Sequence, residues 1–138
     1  MTGVGSIGPG AAEPHGDRRD FDLDVDASLS GRLFYRDWSV VRDDGTTGTV
    51  TVSPTDAETR ITAFRDSSQR CEAPTRGVEF DGIGRLDFGA LFTFTVVACD
   101  NGPAASGADE FRIEVPDRGY SAGIDRLSSG DLAKSGSS

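Results

Sequence analysis

The chain has 138 residues, a formal charge of −9, 36% hydrophobic and 27% charged residues, and 18 glycines. That length holds one domain with a real core and no room for a second. The acidic balance excludes nucleic acid as a partner, because a phosphate backbone asks for a basic stripe, and no apolar run approaches the ~18 residues of a membrane span.

Residues 1–17 are rich in Gly, Pro and Ala, with Val4 and Ile7 as the only apolar anchors, which predicts an arm or an irregular first strand. They carry neither a basic n-region nor an apolar h-region, so the chain is cytosolic or has lost a signal peptide. The stretch RDFDLDVDA then alternates strictly, with Phe21, Leu23 and Val25 to one side and Asp20, Asp22, Asp24 and Asp26 to the other. This is the pattern of a half-buried strand. Carboxylates two apart on an exposed strand face repel one another and stay solvated, so the acidic row is read as a solvated face that discourages edge pairing rather than as a cation comb.

GRLFYRDWSVV, residues 31–41, is aromatic and β-branched but does not alternate cleanly, which predicts a strand that bends or is covered on both faces; the turn signal Asp43-Asp44-Gly45 follows. Val50 and Val52 mark the next strand, which Pro54 ends. ETRITAFRD places Ile61 and Ala63 on one face, Thr62 and Phe64 on the other. GVEFDGIGRLDF reads as a strand with Gly82 and Gly84 at bend or bulge positions. FGALFTFTVVA puts Phe92, Phe94, Val96 and Ala98 on one face and Leu91, Thr93, Thr95 and Val97 on the other, as a central strand would. DEFRIEV turns Phe111, Ile113 and Val115 inward before Pro116 stops it. Tyr120, Ile124, Leu127 and Leu132 are spaced for one or two short final strands ahead of a disordered Ser/Gly tail at 133–138. No segment carries a 3.6-residue apolar stripe beyond two turns. The expectation is one all-β domain over residues 18–132, a single antiparallel β-barrel or sandwich of about eight strands, between which alternation alone does not choose.

Candidate chemistry is sparse. His15, the one histidine, lies in the Gly/Pro arm, far from any Ser-His-Asp or Cys-His arrangement. Cys71 and Cys99 form neither a CxxC redox pair nor a zinc set, since two cysteines and a distant histidine supply too few ligands. A disulfide between them and two free thiols both fit. The loop after Cys99 fails the EF-hand template, with Gly102, Ala104 and Phe111 at positions three, five and twelve from Asp100. It reads as a structural hairpin in which Asn101-Gly102 leaves the strand tightly while Asp100 and Asp109 cap backbone N–H groups. No metal and no cofactor are expected; Asp100, Asp109 and Glu110 are the weak candidates for a surface cation site.

A small barrel can hold one apolar ligand in its mouth. Tyr35, Trp38, Phe88 and Tyr120 are the aromatic candidates for such a site, with Arg32, Arg36 or Arg85 as the polar partner. Barrels of the allene-oxide-cyclase shape act by holding a flexible substrate in a reactive fold, so a cofactor-free cyclase or isomerase needs no histidine. The competing expectation is that these aromatics fill the core. The two differ in one property, an interior cavity of ~300 Å³ or more.

The ordered series T-G-V-G-S-I, D-F-D-L-D-V, G-R-L-F-Y-R-D, F-D-G-I-G-R-L-D-F-G, L-F-T-F-T-V-V-A-C-D-N-G-P, D-E-F-R-I-E-V, G-Y and L-S-S-G-D-L resembles the post-COAP type of extracellular β domain. Such domains occur in secreted bacterial proteins and have no established activity. The resemblance spans nearly the whole chain, and its most specific part is the strand ending D-N-G-P with the return strand D-x-F-R-I. The chain departs from the family at residues 20–24, where T-F-G-F-N is usual, and at 100–107, where D-N-G-E-P-G is usual and a loop carboxylate is lost. The resemblance implies export, an oxidised Cys71–Cys99 pair, and a non-enzymatic binding or architectural role. Partners in keeping with it are an extracellular protein or glycan surface, or a small apolar ligand.

Overall fold

In a computed structural model, residues 1–7, 19–41, 47–87, 89–101, 109–118, 120–121, 125–126 and 129–133 are described. His15, Phe88, Ile124, Leu127 and the 43–45 turn lie outside the described residues. Among the described residues eleven strands follow one another: β1 Thr2–Ile7, β2 Arg19–Val25, β3 Gly31–Val41, β4 Thr47–Val52, β5 Arg60–Arg65, β6 Gly77–Leu86, β7 Leu91–Cys99, β8 Glu110–Val115, β9 Tyr120–Ser121, β10 Asp125–Arg126 and β11 Ser129–Ala133. Two short 3-10 turns, Pro74–Arg76 and Pro116–Arg118, interrupt them.

All pairings are antiparallel, in the order β10-β8-β7-β6-β4-β3-β2-β1-β11, with β5 on β6 and β9 on β8. The two ends of that path, β10 and β11, belong to one stretch of chain, 125–133, which pairs with β8 at its start and with β1 at its finish. The sheet therefore rolls into a nearly closed barrel of eight strand positions. Closure removes the exposed edges that a sandwich of this length would carry. Residues 2–7, at the start of the chain, are a regular strand paired on both sides.

Strand parity decides what fills the barrel. Phe21, Leu23 and Val25 on β2, Leu33 and Tyr35 on β3, Val50 and Val52 on β4, Val78 and Phe80 on β6, Phe94, Val96 and Ala98 on β7, and Phe111, Ile113 and Val115 on β8 form one buried cluster with Met1, Ile7, Ile61 and Leu132. Aromatic rings cross the interior. Phe21 and Phe111 stack at 4.3 Å between centroids and 3° between planes, Tyr35 lies 5.8 Å from Phe111, and Phe80 meets Phe94 edge to face at 6.3 Å. Each buried ring contributes roughly 1.5–3 kcal/mol of transfer free energy.

Gly82 makes room for this packing. It faces Phe94 across the β6–β7 ladder, where a Cβ would stand 2.6 Å from the ring's Cζ. The irregularity the sequence suggests here sits in the facing strand, as a register shift between Ile61 and Ala63 of β5 opposite Gly82 and Asp81.

Cys71 and Cys99 are bonded to each other. With Val97 they make a second, smaller buried cluster on the outer face of β7, which clasps the 66–76 segment against the barrel wall. Gly77 lies under that bridge; a Cβ there would fall 2.2 Å from the Cys71 Sγ.

Candidate functional site

Of the aromatic candidates, the fold brings Tyr35 and Tyr120 together. Tyr35 is an inward residue of β3, and Tyr120 begins β9 after the Pro116–Arg118 turn, reaching from the β8 side to the opposite wall. The two hydroxyls are 2.6 Å apart, and the Tyr120 hydroxyl donates to Asp37 Oδ2 at 2.5 Å. Asp37 is 5% exposed and Tyr35 2%, so a carboxylate and a phenol share one buried chain of hydrogen bonds at the barrel mouth. Burial pushes both phenols above the ordinary tyrosine value, and the neighbouring Asp37 charge adds to the shift in each. Desolvation penalises the phenolate, and an adjacent carboxylate penalises it further.

The space around this dyad is small. A cavity of about 60 Å³ is lined by Tyr35, Asp37, Gly48, Thr49, Val50, Leu86, Val115, Arg118 and Tyr120. Ligand sites for drug-sized molecules occupy ~300–1,000 Å³, so the volume suits a water or two.

The other candidates lie elsewhere. Trp38 differs from Tyr35 by three positions and stands on the outer face, where its Nε1 donates to Asp20 Oδ2 at 2.9 Å. Arg36 is outward as well, its guanidinium 5.3 Å from the Phe34 ring centroid and 5.0 Å from that of Trp38. Arg32 pairs with Asp22 at 2.6 Å. Arg85 is a clamp between loops: its Nε donates to Asp56 Oδ2 at 2.6 Å, its other nitrogens to Glu58 and the Gly89 carbonyl. Hydrogen bonds from Arg85 hold the Asp56 carboxyl below the usual carboxylate range. Phe88 lies outside the described residues.

The loop carboxylates are occupied in structure. Asp109, 3% exposed, accepts from the Asn101 backbone N–H at 2.9 Å and from the Leu132 N–H at 2.8 Å, so one side chain ties the β7–β8 connection to β11 at the barrel seam. Glu110 accepts from Asn101 Nδ2, and Arg76 donates to the Asp100 carbonyl. Among the described residues no group of three or more His, Cys, Asp or Glu side chains is arranged to hold a metal ion. The acidic row is partly engaged: on β2 Asp20 accepts from Ser6 and Trp38 and Asp22 from Arg32, and just past the strand Asp26 accepts from Ser28.

Asp109 caps backbone N–H groups as the sequence suggests, but its reach to Leu132 on β11 was not foreseen. Sequence reasoning missed the buried role of Asp37 altogether. The signal for the burial of Asp109 was its place two residues before Phe111, in register with the inward positions of β8. No family model, curated protein or solved structure matches the chain. A functional reading therefore rests on the geometry and on the residues themselves. No helix among the described residues is long and apolar enough to cross a membrane.

Proposed function

We propose that this chain is an exported, non-enzymatic β-barrel module that acts through its surface, as a binding or architectural unit outside the reducing cytosol. The observation that carries the reading is the filled interior: stacked rings from β2, β3 and β8 occupy the volume a ligand would need, and what remains at the mouth is about 60 Å³. A fully internal disulfide supports the oxidising compartment, because such bonds persist where thiol reductants are scarce. The resemblance to post-COAP domains points the same way. The alternative, a barrel that binds or cyclises a small molecule, needs several times more interior space.

Titration with cis-parinaric acid, a fluorescent apolar chain that reports uptake into barrel interiors, tests the proposal. No saturable fluorescence gain is expected. One-to-one uptake that Tyr35→Phe or Tyr120→Phe alters would overturn the reading in favour of the ligand-binding barrel.

A further inference from the structure

The outer face of β1, β2 and β3 carries an arrangement that barrel closure does not need. Phe34, Arg36 and Trp38 stand outward in succession on β3, and the Arg36 guanidinium lies over both rings, at 5.3 and 5.0 Å from their centroids. The rings offer their electron-rich faces to the cation and fix its plane. Its Nε is nevertheless buried without a hydrogen-bond partner. Directly across the ladder on β4 is Thr49, 3% exposed, whose Oγ1 is also buried and unpartnered. Two facing polar atoms beneath the ladder are thus left unsatisfied within the barrel wall.

On its other side the same cross-strand row continues through Asp20 and Ser6. Asp20 accepts from Ser6 Oγ at 2.6 Å and from Trp38 Nε1, which locks the indole in place. Beside this row runs an open groove of about 440 Å³ across β11, β1, β2 and β3, lined by Thr2, Gly3, Val4, Asp22, Asp24 and Arg32. That volume falls within the range of ligand sites. Val4, 61% exposed, gives the groove an apolar wall.

We propose that this face binds a neutral glycan, laid along the groove and over the Phe34–Arg36–Trp38 ladder. Carboxylates and guanidiniums alternate across it, Asp20 beside Arg36 and Asp22 beside Arg32, which matches hydroxyl groups that donate and accept in turn. The aromatic rings and Val4 offer contact to the apolar C–H faces of sugar rings. A polyanion is disfavoured by the charge of −9. A protein partner is disfavoured because Asp20, Asp22 and Asp24 run through the middle of the face, and protein interfaces are depleted of aspartate at their centres. The proposal deepens the surface-binding reading and rests on it.

Trp38 is the only tryptophan in the chain, so its fluorescence reports the site alone. The experiment titrates the native protein with xylo-, cello-, manno- and malto-hexaose, and with oligogalacturonate as the anionic comparison. A saturable change with at least one neutral series is expected. Arg36→Gln, which keeps the reporter, should weaken it by roughly tenfold, the loss of one charge-assisted hydrogen bond. Val4→Arg, a second variant at an exposed position, should weaken it as well, and both should melt within about 2 °C of the parent. No response to any neutral series, response to oligogalacturonate alone, or binding indifferent to both variants would overturn the proposal. Cis-parinaric acid uptake would instead sink the surface-module reading beneath it, so the two failures are distinguishable.

Discussion

The two faces of β3 are made from alternate residues of one short stretch and have opposite fates. Leu33, Tyr35 and Asp37 turn inward and are each 5% exposed or less, packed on rings from β2 and β8 or bonded to Tyr120. Arg32, Phe34, Arg36 and Trp38 turn outward, half-buried or exposed, and interact with their own neighbours and with β2. The inner face spends its aromatic surface on closing the barrel. The outer face leaves an arginine and two rings half-buried on the surface, where the proposed recognition would take place, while the inner face carries the stability.

The largest effect that sharpens this contrast is expected from Phe111→Ala. It removes the ring that stacks on Phe21 and touches Tyr35, leaving a cavity inside a closed wall, and should cost about 3–5 kcal/mol in denaturant unfolding. Phe34→Ala removes the same number of atoms from the outer face of β3. If it destabilised as much as Phe111→Ala, the contrast between the faces would break.

The disulfide comes next. It joins residues 28 apart in sequence, and replacing both cysteines by Ala should cost roughly 3 kcal/mol, mainly through the entropy regained by the unfolded chain. Thermal melts with and without reductant measure it; identical melting temperatures would show that the clasp on the outer face of β7 carries no stability. The smallest effect belongs to Arg36→Gln, expected within about 0.5 kcal/mol of the parent, because among the described residues its guanidinium lies over the outward rings of Phe34 and Trp38.

Much of the barrel was legible in the chain. Strict alternation in 19–25 and looser alternation in 92–98 and 110–115 gave the inward residues of β2, β7 and β8, although the outward Val97 is buried as well, under the disulfide. Closure was not legible, because the pairing of Thr2–Ile7 with Ser129–Ala133 joins two segments whose glycines and serines carry almost no periodic signal. The candidate site was half legible. Tyr35 and Tyr120 do meet, yet Trp38 was grouped with them through its aromatic character, although an odd separation along a strand sends the two side chains to opposite faces. Arg85 drew notice as a cation beside aromatics, and only tertiary contact with Asp56 and Glu58 shows it as a loop clamp. The disulfide was open on the residues alone and implied by the family resemblance.

The measurement that tests the filled interior most directly is a spectrophotometric titration of the tyrosines. The chain contains two, and both belong to the mouth dyad. Their folded values lie above the unfolded tyrosine value of about 10. Below pH 10 both states keep the phenolic protons and the dyad's contribution is complete. Above it the unfolded chain loses protons that the folded one retains, so stability falls as pH rises toward the folded values. Phenols held in this hydrogen-bonded chain are expected to show little tyrosinate absorbance at about pH 10, followed at higher pH by a rise that coincides with unfolding. Two tyrosinates forming with an ordinary midpoint near 10 while the barrel stays folded would contradict it, and would mean that the mouth is open to water and to ligands.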